Sequence, residues 1–167
     1  MAAISKYLLT GKTAVVTGAG NGIGRAIALA FAEAGARVGC VDLDEKAAEA
    51  TAATIAKNGG EGLPVHCDVG DEADVEVATK TILSKFSVVH VLVNGAAGYD
   101  PNGTVLDLTL NDWNRIFAVN VGGAFLMSRA ILPSMIAAGA VASFTSLRSS
   151  AASLPRAAPL IARPRVR

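Results

Sequence analysis

A run of glycines at residues 17–24, Thr-Gly-Ala-Gly-Asn-Gly-Ile-Gly, separates two apolar segments of different periodicity. The segment before it, residues 13–16, is short and rich in β-branched side chains, which is typical of a strand buried on both faces. After it, apolar side chains recur at helical spacing until Gly35, a residue type that commonly ends helices. These side chains are Ile23, Ile27, Ala30, Phe31 and Ala34. The chain is therefore predicted to pass from a strand through a tight glycine turn directly into a helix.

The predicted turn has the chemistry of an anion site. Glycines lack a Cβ atom, so they adopt positive φ angles and let a ligand approach the backbone. The free N–H groups and the positive dipole end of the following helix attract negative charge. A dinucleotide pyrophosphate is the usual ligand, although the spacing of Gly18, Gly22 and Gly24 differs from the common G-x-G-x-x-G pattern. A tight turn without a ligand is the alternative interpretation.

The rest of the chain repeats the alternation of strand and helix. Strand patterns at residues 37–41, 63–67 and 88–93 alternate with helical patterns at 45–58, 72–86 and from 109 or 111 to 135. Such alternation specifies a parallel sheet with right-handed crossovers and a ligand at the carboxyl ends of the strands. We predict a doubly wound, Rossmann-like α/β domain of about five strands over residues 1–147, and an irregular tail rich in Arg, Pro and Ala over residues 148–167.

Acidic residues follow two of the predicted strands. Asp42 lies about 20 residues past the glycine turn, where a carboxylate accepts hydrogen bonds from an adenosine ribose and repels a 2′-phosphate. Asp42 therefore favours NAD over NADP as the cofactor. The alternative role is that of a helix cap, which suits Asp44 better. After the third strand, Asp68 or Asp71 can equally cap the next helix.

The pattern Thr17-Gly-x-x-x-Gly-x-Gly resembles the cofactor loop of the short-chain dehydrogenase/reductase family, in which the threonine steadies the turn and the loop binds NAD or NADP. Asn21, where NADP-preferring relatives often carry a basic residue, also favours NAD. In this family an Asp followed by an apolar residue, here Asp68 and Val69, holds the adenine edge. The residues that the pattern and the resemblance predict to bind the cofactor are Thr17, Gly18, Asn21, Gly22, Ile23, Gly24, Asp42, Asp68, Val69, Asn94 and Ala96.

Two further segments carry the resemblance. Residues 94–98, Asn-Gly-Ala-Ala-Gly, match the family's Asn-Asn-Ala-Gly, which stabilises the sheet and lines the nicotinamide side, but with Gly95 for the second Asn and Ala97 for the Gly. Asn120 matches the family's catalytic-helix asparagine, which kinks the helix and helps hold a proton-relay water. Asn120 is the only catalytic residue that the resemblance assigns; a hydrogen-bonded polar residue in the core is the alternative.

The resemblance implies hydride transfer between NAD and a small alcohol or carbonyl substrate, in a homo-oligomer. The last part of the chain departs from it. Family members have a fifth strand ending in a catalytic Ser, then a Tyr-x-x-x-Lys, but the last Tyr here is Tyr99 and the last Lys is Lys85. We therefore expect an oxidoreductase by family resemblance with little or no turnover, and oligomerisation of this chain is in doubt. The alternatives are a non-catalytic dinucleotide-binding module or a truncated product that folds poorly.

A shifted reading frame near residues 139–141 accounts for the departure. One set of codons for residues 159–166, read from the third base, encodes Ala-Tyr-Ser-Ala-Ser-Lys-Gly. With codons chosen in the same way for residues 142–148, the same offset encodes Ile-Val-His-Ile-Ala-Ser. One offset thus yields a strand, the Ser, the Tyr and the Lys at the family's spacing, and a frameshift is our leading hypothesis for the tail.

Composition limits the classes of binding partner and the cellular compartment that we expect for this chain. A net charge of +1 gives no electrostatic case for nucleic acid. The two cysteines, Cys40 and Cys67, lie in apolar strand patterns and are expected to be free buried thiols in a reducing cytosol. Residues 1–10 do not resemble a signal peptide, and the uncharged stretch 130–147 is interrupted by Pro133 and Gly139, so no membrane partner is expected. Both histidines lie on strand patterns, and no metal site is expected.

Overall fold

The computed structural model describes residues 9–98, 104, 106–139 and 143–145. Strands and helices alternate along the chain. In order they are β1 (Thr13–Thr17), α1 (Gly22–Glu33), β2 (Arg37–Asp42), α2 (Glu45–Lys57), β3 (Glu61–His66), α3 (Glu72–Phe86), β4 (Val91–Asn94), α4 (Leu110–Phe117), a π-helical segment (Ala118–Gly123), α5 (Ala124–Ala137) and β5 (Ser143–Thr145).

The five described strands form one parallel sheet in the order β3-β2-β1-β4-β5. The chain first adds strands on one side of β1 and then continues with β4 on the other side. This arrangement confirms the predicted doubly wound α/β fold. In such sheets a ligand binds outside the carboxyl ends of the strands, at the point where the strand order reverses, so the site is expected beyond the ends of β1 and β4.

The central strand β1 is buried on both faces. Val15 belongs to one buried cluster together with side chains of α3 and α5, such as Ile131. Ala14 and Val16 point the other way, into a second cluster that includes Ile55 of α2. Because helices cover both faces of the sheet, all five residues of the central strand are buried, and its middle residues, Ala14, Val15 and Val16, show no alternation of polar and apolar side chains.

Polar side chains at the helix starts decide between the alternatives that the sequence left open. Asp44 rather than Asp42 caps α2, and Asp71 caps α3. Thr109 caps α4 in a reciprocal capping box with Asp112. Asp42 and Asp68 are therefore not needed as caps.

The fourth strand is shorter than the predicted run of residues 88–93. It begins at Val91, after Ser87 has turned the chain with a positive φ of 65°. Val89 is fully buried without belonging to a strand. His90 connects the start of β4 to β1 through two hydrogen bonds. Its side-chain Nδ1 atom accepts the Thr13 N–H at 3.0 Å, and its backbone N–H donates to the Thr13 carbonyl at 2.9 Å. The apolar run thus indicated burial correctly but placed the start of the strand too early.

The helical run Leu110–Ala137 has the length and composition of a membrane-spanning helix. Its inner face, including Met127 and Met135, is buried in the core of the domain. Its outer face is exposed, and there the rings of Trp113 and Phe117 stack with centroids 4.5 Å apart. Because α5 packs against α3 and β4, length and composition alone do not indicate a membrane protein.

Most of the predictions for the last part of the chain lie outside the described residues. These are the boundary at residues 147/148, the irregular tail and the positions of the missing Ser, Tyr and Lys. The sequence as it stands does form a strand at Ser143–Thr145, which pairs in parallel with β4.

Candidate functional site

A cavity of about 430 Å³ opens at the carboxyl ends of the central strands. This volume lies within the usual range for small-molecule sites. The cavity receives residues from the β1–α1 turn, from the ends of β2 and β3, and from the segment after β4. Its lining residues are Gly18, Asn21, Gly22, Ile23, Gly24, Ile27, Asp42, Leu43, Cys67, Asp68, Val69, Gly95, Ala96, Ala97, Gly98 and Val119.

The floor of the cavity is built from backbone in close contact. Gly18 has a φ of +68°, and a Cβ atom there would lie 2.8 Å from the Gly95 carbonyl oxygen. A Cβ atom on Gly24 would lie 2.0 Å from the Gly18 carbonyl oxygen, and one on Gly95 would lie 2.7 Å from the Thr17 carbonyl oxygen. Glycine is therefore required at all three positions, and these three residues present only main chain to the cavity.

Thr17 ties the two halves of the site together. Its side chain is buried, and its Oγ1 atom accepts the N–H groups of Gly95 and Ala96, each at 3.0 Å. These two bonds hold the segment after β4 against the end of β1. The side chain of Thr17 does not line the cavity; it positions the residues that do.

Asp42 lines the cavity and also braces its turns. Its Oδ2 atom accepts the Gly20 N–H at 2.7 Å, and its Oδ1 atom accepts the Asp44 N–H at 3.0 Å. Each carboxylate oxygen has two lone pairs, so each can accept one further hydrogen bond from a ligand. Leu43, which follows Asp42, is exposed on the same wall.

The third wall follows β3. Asp68 accepts the Gly70 N–H at 2.9 Å through Oδ1 and lines the cavity beside Val69. Cys67 lines the same wall from a buried position. Burial raises the pKa of the Cys67 thiol to about 12, and the nearby carboxylates of Asp74, Asp68 and Asp71 add to this effect. The thiol is therefore protonated and unreactive near neutral pH.

Two of the three asparagines of the predicted site, Asn94 and Asn120, bind backbone and neighbouring side chains instead of lining the cavity. Asn94 is buried at the end of β4 and donates from Nδ2 to Ser128 Oγ on α5 at 3.3 Å. Asn120 lies within the π-helical segment; its Oδ1 accepts the Gly98 N–H at 2.7 Å and its Nδ2 donates to the Gly98 carbonyl at 3.0 Å. This pair of bonds clamps the segment after β4 to the π-helical turn.

The structure thus brings nine of the predicted residues to the cavity wall. They are Gly18, Asn21, Gly22, Ile23, Gly24, Asp42, Asp68, Val69 and Ala96. Thr17, Asn94 and Asn120 lie behind the wall. The functional roles of all twelve residues stay predictions.

Asn21 has a second use, since its Oδ1 atom accepts the Gly22 N–H at 2.7 Å and caps α1. The amides of Ile23 and Gly24 have no partner within the helix, as at any helix start. Ile23, which fits the apolar stripe of α1, is 57% exposed and faces the cavity instead of the core.

Sequence reasoning missed several lining residues. Ile27 was assigned to the apolar face of α1, and Cys67 was interpreted only as a buried thiol. Leu43 and Val119 were not assigned to the site. They lie next to predicted site residues, Leu43 after Asp42 and Val119 before Asn120, so adjacency in sequence was the available signal.

Neither histidine is among the residues that line the cavity. His90 is at the opposite end of β4, where burial and the charges of Lys12 and Arg37 lower the pKa of its imidazole. Among the described residues, no group of three or more His, Cys, Asp or Glu side chains is arranged to hold a metal ion.

Comparison with known proteins identifies relatives for most of the chain. D-threitol dehydrogenase of Mycolicibacterium smegmatis is 41% identical over 133 residues, which is 80% of this chain and 51% of that protein. Sorbitol dehydrogenase of Cereibacter sphaeroides is 37% identical over 143 residues, covering 86% of this chain and 54% of the relative. The chain therefore spans about half the length of the curated relatives it matches.

Solved structures share the fold at similar identity. A 7α-hydroxysteroid dehydrogenase complexed with NADH and 7-oxo glycochenodeoxycholic acid superposes with a TM-score of 0.77 at 34% identity, covering 82% of this chain and 53% of that one. A metagenomic short-chain oxidoreductase in complex with NADP gives a TM-score of 0.77 at 33% identity, covering 82% and 62%. The family model for short chain dehydrogenases matches residues 12–158. The chain therefore belongs to the short-chain dehydrogenase family.

Proposed function

We propose that this chain binds NAD(H) in the cavity between the β1–α1 turn and the segment after β4. The observation that carries the proposal is the side-chain-free floor formed by Gly18, Gly24 and Gly95, which lies at the N-terminus of α1. The amides of Ile23 and Gly24 would receive the pyrophosphate. Isothermal titration of the purified protein with NADH tests the proposal, and an absence of binding at millimolar NADH contradicts it.

NAD is the preferred cofactor over NADP. Asp42 places a carboxylate on the wall where the adenosine ribose is expected, and the described lining residues include no Lys, Arg or His to bind a 2′-phosphate. We expect NADH to bind at least about tenfold more tightly than NADPH, a difference of about 1.4 kcal/mol. The Asp42→Asn variant keeps the size of the side chain and removes its charge, so it should lower the ratio of the NADPH dissociation constant to the NADH dissociation constant. An unchanged ratio would argue against the assigned role of Asp42.

The parent chemistry is hydride transfer with an alcohol or carbonyl substrate. When bound, the nicotinamide supplies or accepts the hydride. The residues of this chain bind and orient the cofactor: Asp42 and Asp68 hold its adenosine half, and Asn120 supports the wall of the nicotinamide half through Gly98. The proton donor that family resemblance calls for is the Tyr of Tyr-x-x-x-Lys, and residues 141–167 contain no Tyr and no Lys.

Turnover by this chain is accordingly weak or absent. General acid–base catalysis contributes about 10²- to 10⁴-fold, and loss of the Ser and Lys also removes positioning. Mixtures of NADH with ketones and of NAD with alcohols, followed by absorbance of the reduced nicotinamide, measure this directly. A turnover within about 1 to 10³ s⁻¹ would show that another residue donates the proton.

The tail derives from a shifted reading frame. The support is that, for one choice of synonymous codons, a single base offset produces a strand, a Ser and a Tyr-x-x-x-Lys from residues 142–166. Independent sequencing of the gene across codons 136–167 tests it. A gene in which every read gives the present frame, with no missing or extra base, contradicts the hypothesis.

The alternative functions are a stable, non-catalytic dinucleotide-binding module and a truncated product that folds poorly, and the contacts of the site support the stable module. Among the described residues, both faces of β1 are covered and Thr17 and Asn120 cross-link the site. A cooperative unfolding transition, together with NADH binding and no turnover, distinguishes this module from a product that aggregates.

Self-association would use the outer face of the helical run from α4 to α5. Trp113, Phe117, Val121 and Phe125 are exposed there, and exposed apolar patches mark interaction sites. The family resemblance implies pairing of this helix across a dimer. Light scattering on the purified protein measures the oligomeric state, and a Phe125→Asp variant should shift a dimer towards monomer.

The two unpaired thiols, Cys40 and Cys67, suit a reducing cytosol.

A further inference from the structure

The glycine turn between β1 and α1 is contacted from outside by α2. Thr51 of α2 is fully buried, and its Oγ1 atom lies 3.0 Å from the carbonyl oxygen of Ala19 and 3.1 Å from that of Ala47. The contact with Ala47 is the ordinary bond of a helical threonine to its own preceding turn. The contact with Ala19 crosses to the glycine turn, and the single hydroxyl proton is shared between the two acceptors.

The backbone from the Ala19 nitrogen to the Gly20 nitrogen has three polar groups, and each of them is hydrogen bonded. The Ala19 N–H donates to the Val41 carbonyl at 3.0 Å, and the Gly20 N–H donates to Asp42 Oδ2 at 2.7 Å. The Ala19 carbonyl is the remaining polar atom, and it accepts from Thr51. Since Ala19 is fully buried, water does not replace this partner without cost.

The fixed segment, Ala19 and Gly20, lies between two residues of the cavity wall, Gly18 and Asn21. A displacement of this segment would therefore move both of them, together with the start of α1. Given the proposed binding of NAD(H), we infer that the Thr51 hydroxyl is a positioning group for the cofactor. It holds the Ala19 carbonyl on the α2 side and keeps the turn in the conformation that receives the pyrophosphate. Preorganisation of this kind raises affinity because the ordering of the turn is complete before the ligand binds.

The Thr51→Val variant removes the hydroxyl at nearly constant size. We expect NADH to bind about 3- to 10-fold more weakly, the fold-change that corresponds to one net hydrogen bond. Isothermal titration is carried out at a temperature where circular dichroism shows both proteins to be fully folded. The Thr51→Ser variant keeps the hydroxyl and should restore the affinity.

Thr79→Val is the matched control. Thr79 is also a buried threonine on a helix, and its Oγ1 atom has no hydrogen-bond partner within the described part of the chain. Its replacement should leave NADH affinity unchanged. If Thr51 has a merely structural role, Thr51→Val lowers the unfolding midpoint and leaves the dissociation constant of the folded protein unchanged. That result, or an equal loss of affinity in both variants, overturns the inference.

A second pair keeps the test decisive if Thr51→Val does not fold. Thr51→Ser and Thr51→Ala differ only by the hydroxyl, and the Ser variant should bind NADH more tightly. Equal binding by these two variants also overturns the inference. Wild-type protein that binds no NADH refutes the proposed function and this inference with it, whereas wild type and Thr51→Val binding equally well refutes only the role of Thr51.

Discussion

Gly24 is the position at which a single methyl group should do most damage. It lies in the first turn of α1, where helix propensity alone predicts a gain of about 1 kcal/mol for alanine. The added Cβ would lie 2.0 Å from the Gly18 carbonyl oxygen and 2.7 Å from the Gly18 carbonyl carbon. Both atoms are backbone, so the turn and the helix must separate by about 1 Å, and overpacking of this kind costs about 1–3 kcal/mol or more.

We therefore expect Gly24→Ala to lower the free energy of unfolding by about 2 kcal/mol. Urea unfolding followed by circular dichroism measures this as a fall in the midpoint of about 1 M. Gly122→Ala is the control, because the nearest atom to its added Cβ, the Phe117 carbonyl oxygen, lies 3.8 Å away. Gly122→Ala should therefore cause no loss in the free energy of unfolding. A Gly24→Ala protein as stable as wild type would refute the close approach of α1 to the turn.

Three further substitutions or conditions test other contacts. Thr17→Val leaves the N–H groups of Gly95 and Ala96 without their acceptor, so it should lower the free energy of unfolding, measured in urea, by about 2 kcal/mol. Thr17→Ser keeps the hydroxyl and should lower it by less. Equal losses in the two variants would contradict the hydrogen bonds assigned to Thr17. His90 must be neutral at Nδ1 to accept the Thr13 N–H, and its pKa is lowered in the fold. The contribution of this hydrogen bond to the free energy of unfolding is therefore expected to be complete above about pH 6.5 and to be lost as the pH falls below that value. The His90→Asn variant should show a smaller change in the free energy of unfolding over this pH range. Cys40 and Cys67 are buried with pKa values raised to about 12, so a thiol reagent at pH 8 should label them only after unfolding; rapid labelling of native protein would contradict their burial.

Local signals in the sequence were sufficient for most of the helices and strands. The predicted bounds of α3 agree with Glu72–Phe86, because its cap and its apolar spacing lie within the helix itself. The start of β4 required knowledge of a distant partner, since the His90 side chain uses the Thr13 N–H. β3 begins earlier than predicted and contains Pro64, which is tolerated because β3 is the edge strand of the described sheet.

The site was harder to predict where tertiary contacts decide the outcome. Ile27 has the spacing of a core residue and was assigned to the apolar face of α1, but it also lines the cavity. Asn120 could be found by resemblance, but its pair of bonds to Gly98 could not, because the partner is backbone. The Thr51 contact had no sequence signal, since a threonine in a helix usually bonds within its own helix.

The close contact among Gly18, Gly24 and Gly95 has a consequence for how the domain opens. Most binding loops exchange their amide hydrogens quickly because they open locally while the core stays folded. Here the turn cannot separate from the end of β4 without pulling β1 away from β4 as well. We expect the amides of Gly95 and Ala96 to exchange at the rate of global unfolding, so that the binding turn and the middle of the sheet form one cooperative unit. Mutations that loosen this site for a new ligand would then weaken the whole domain.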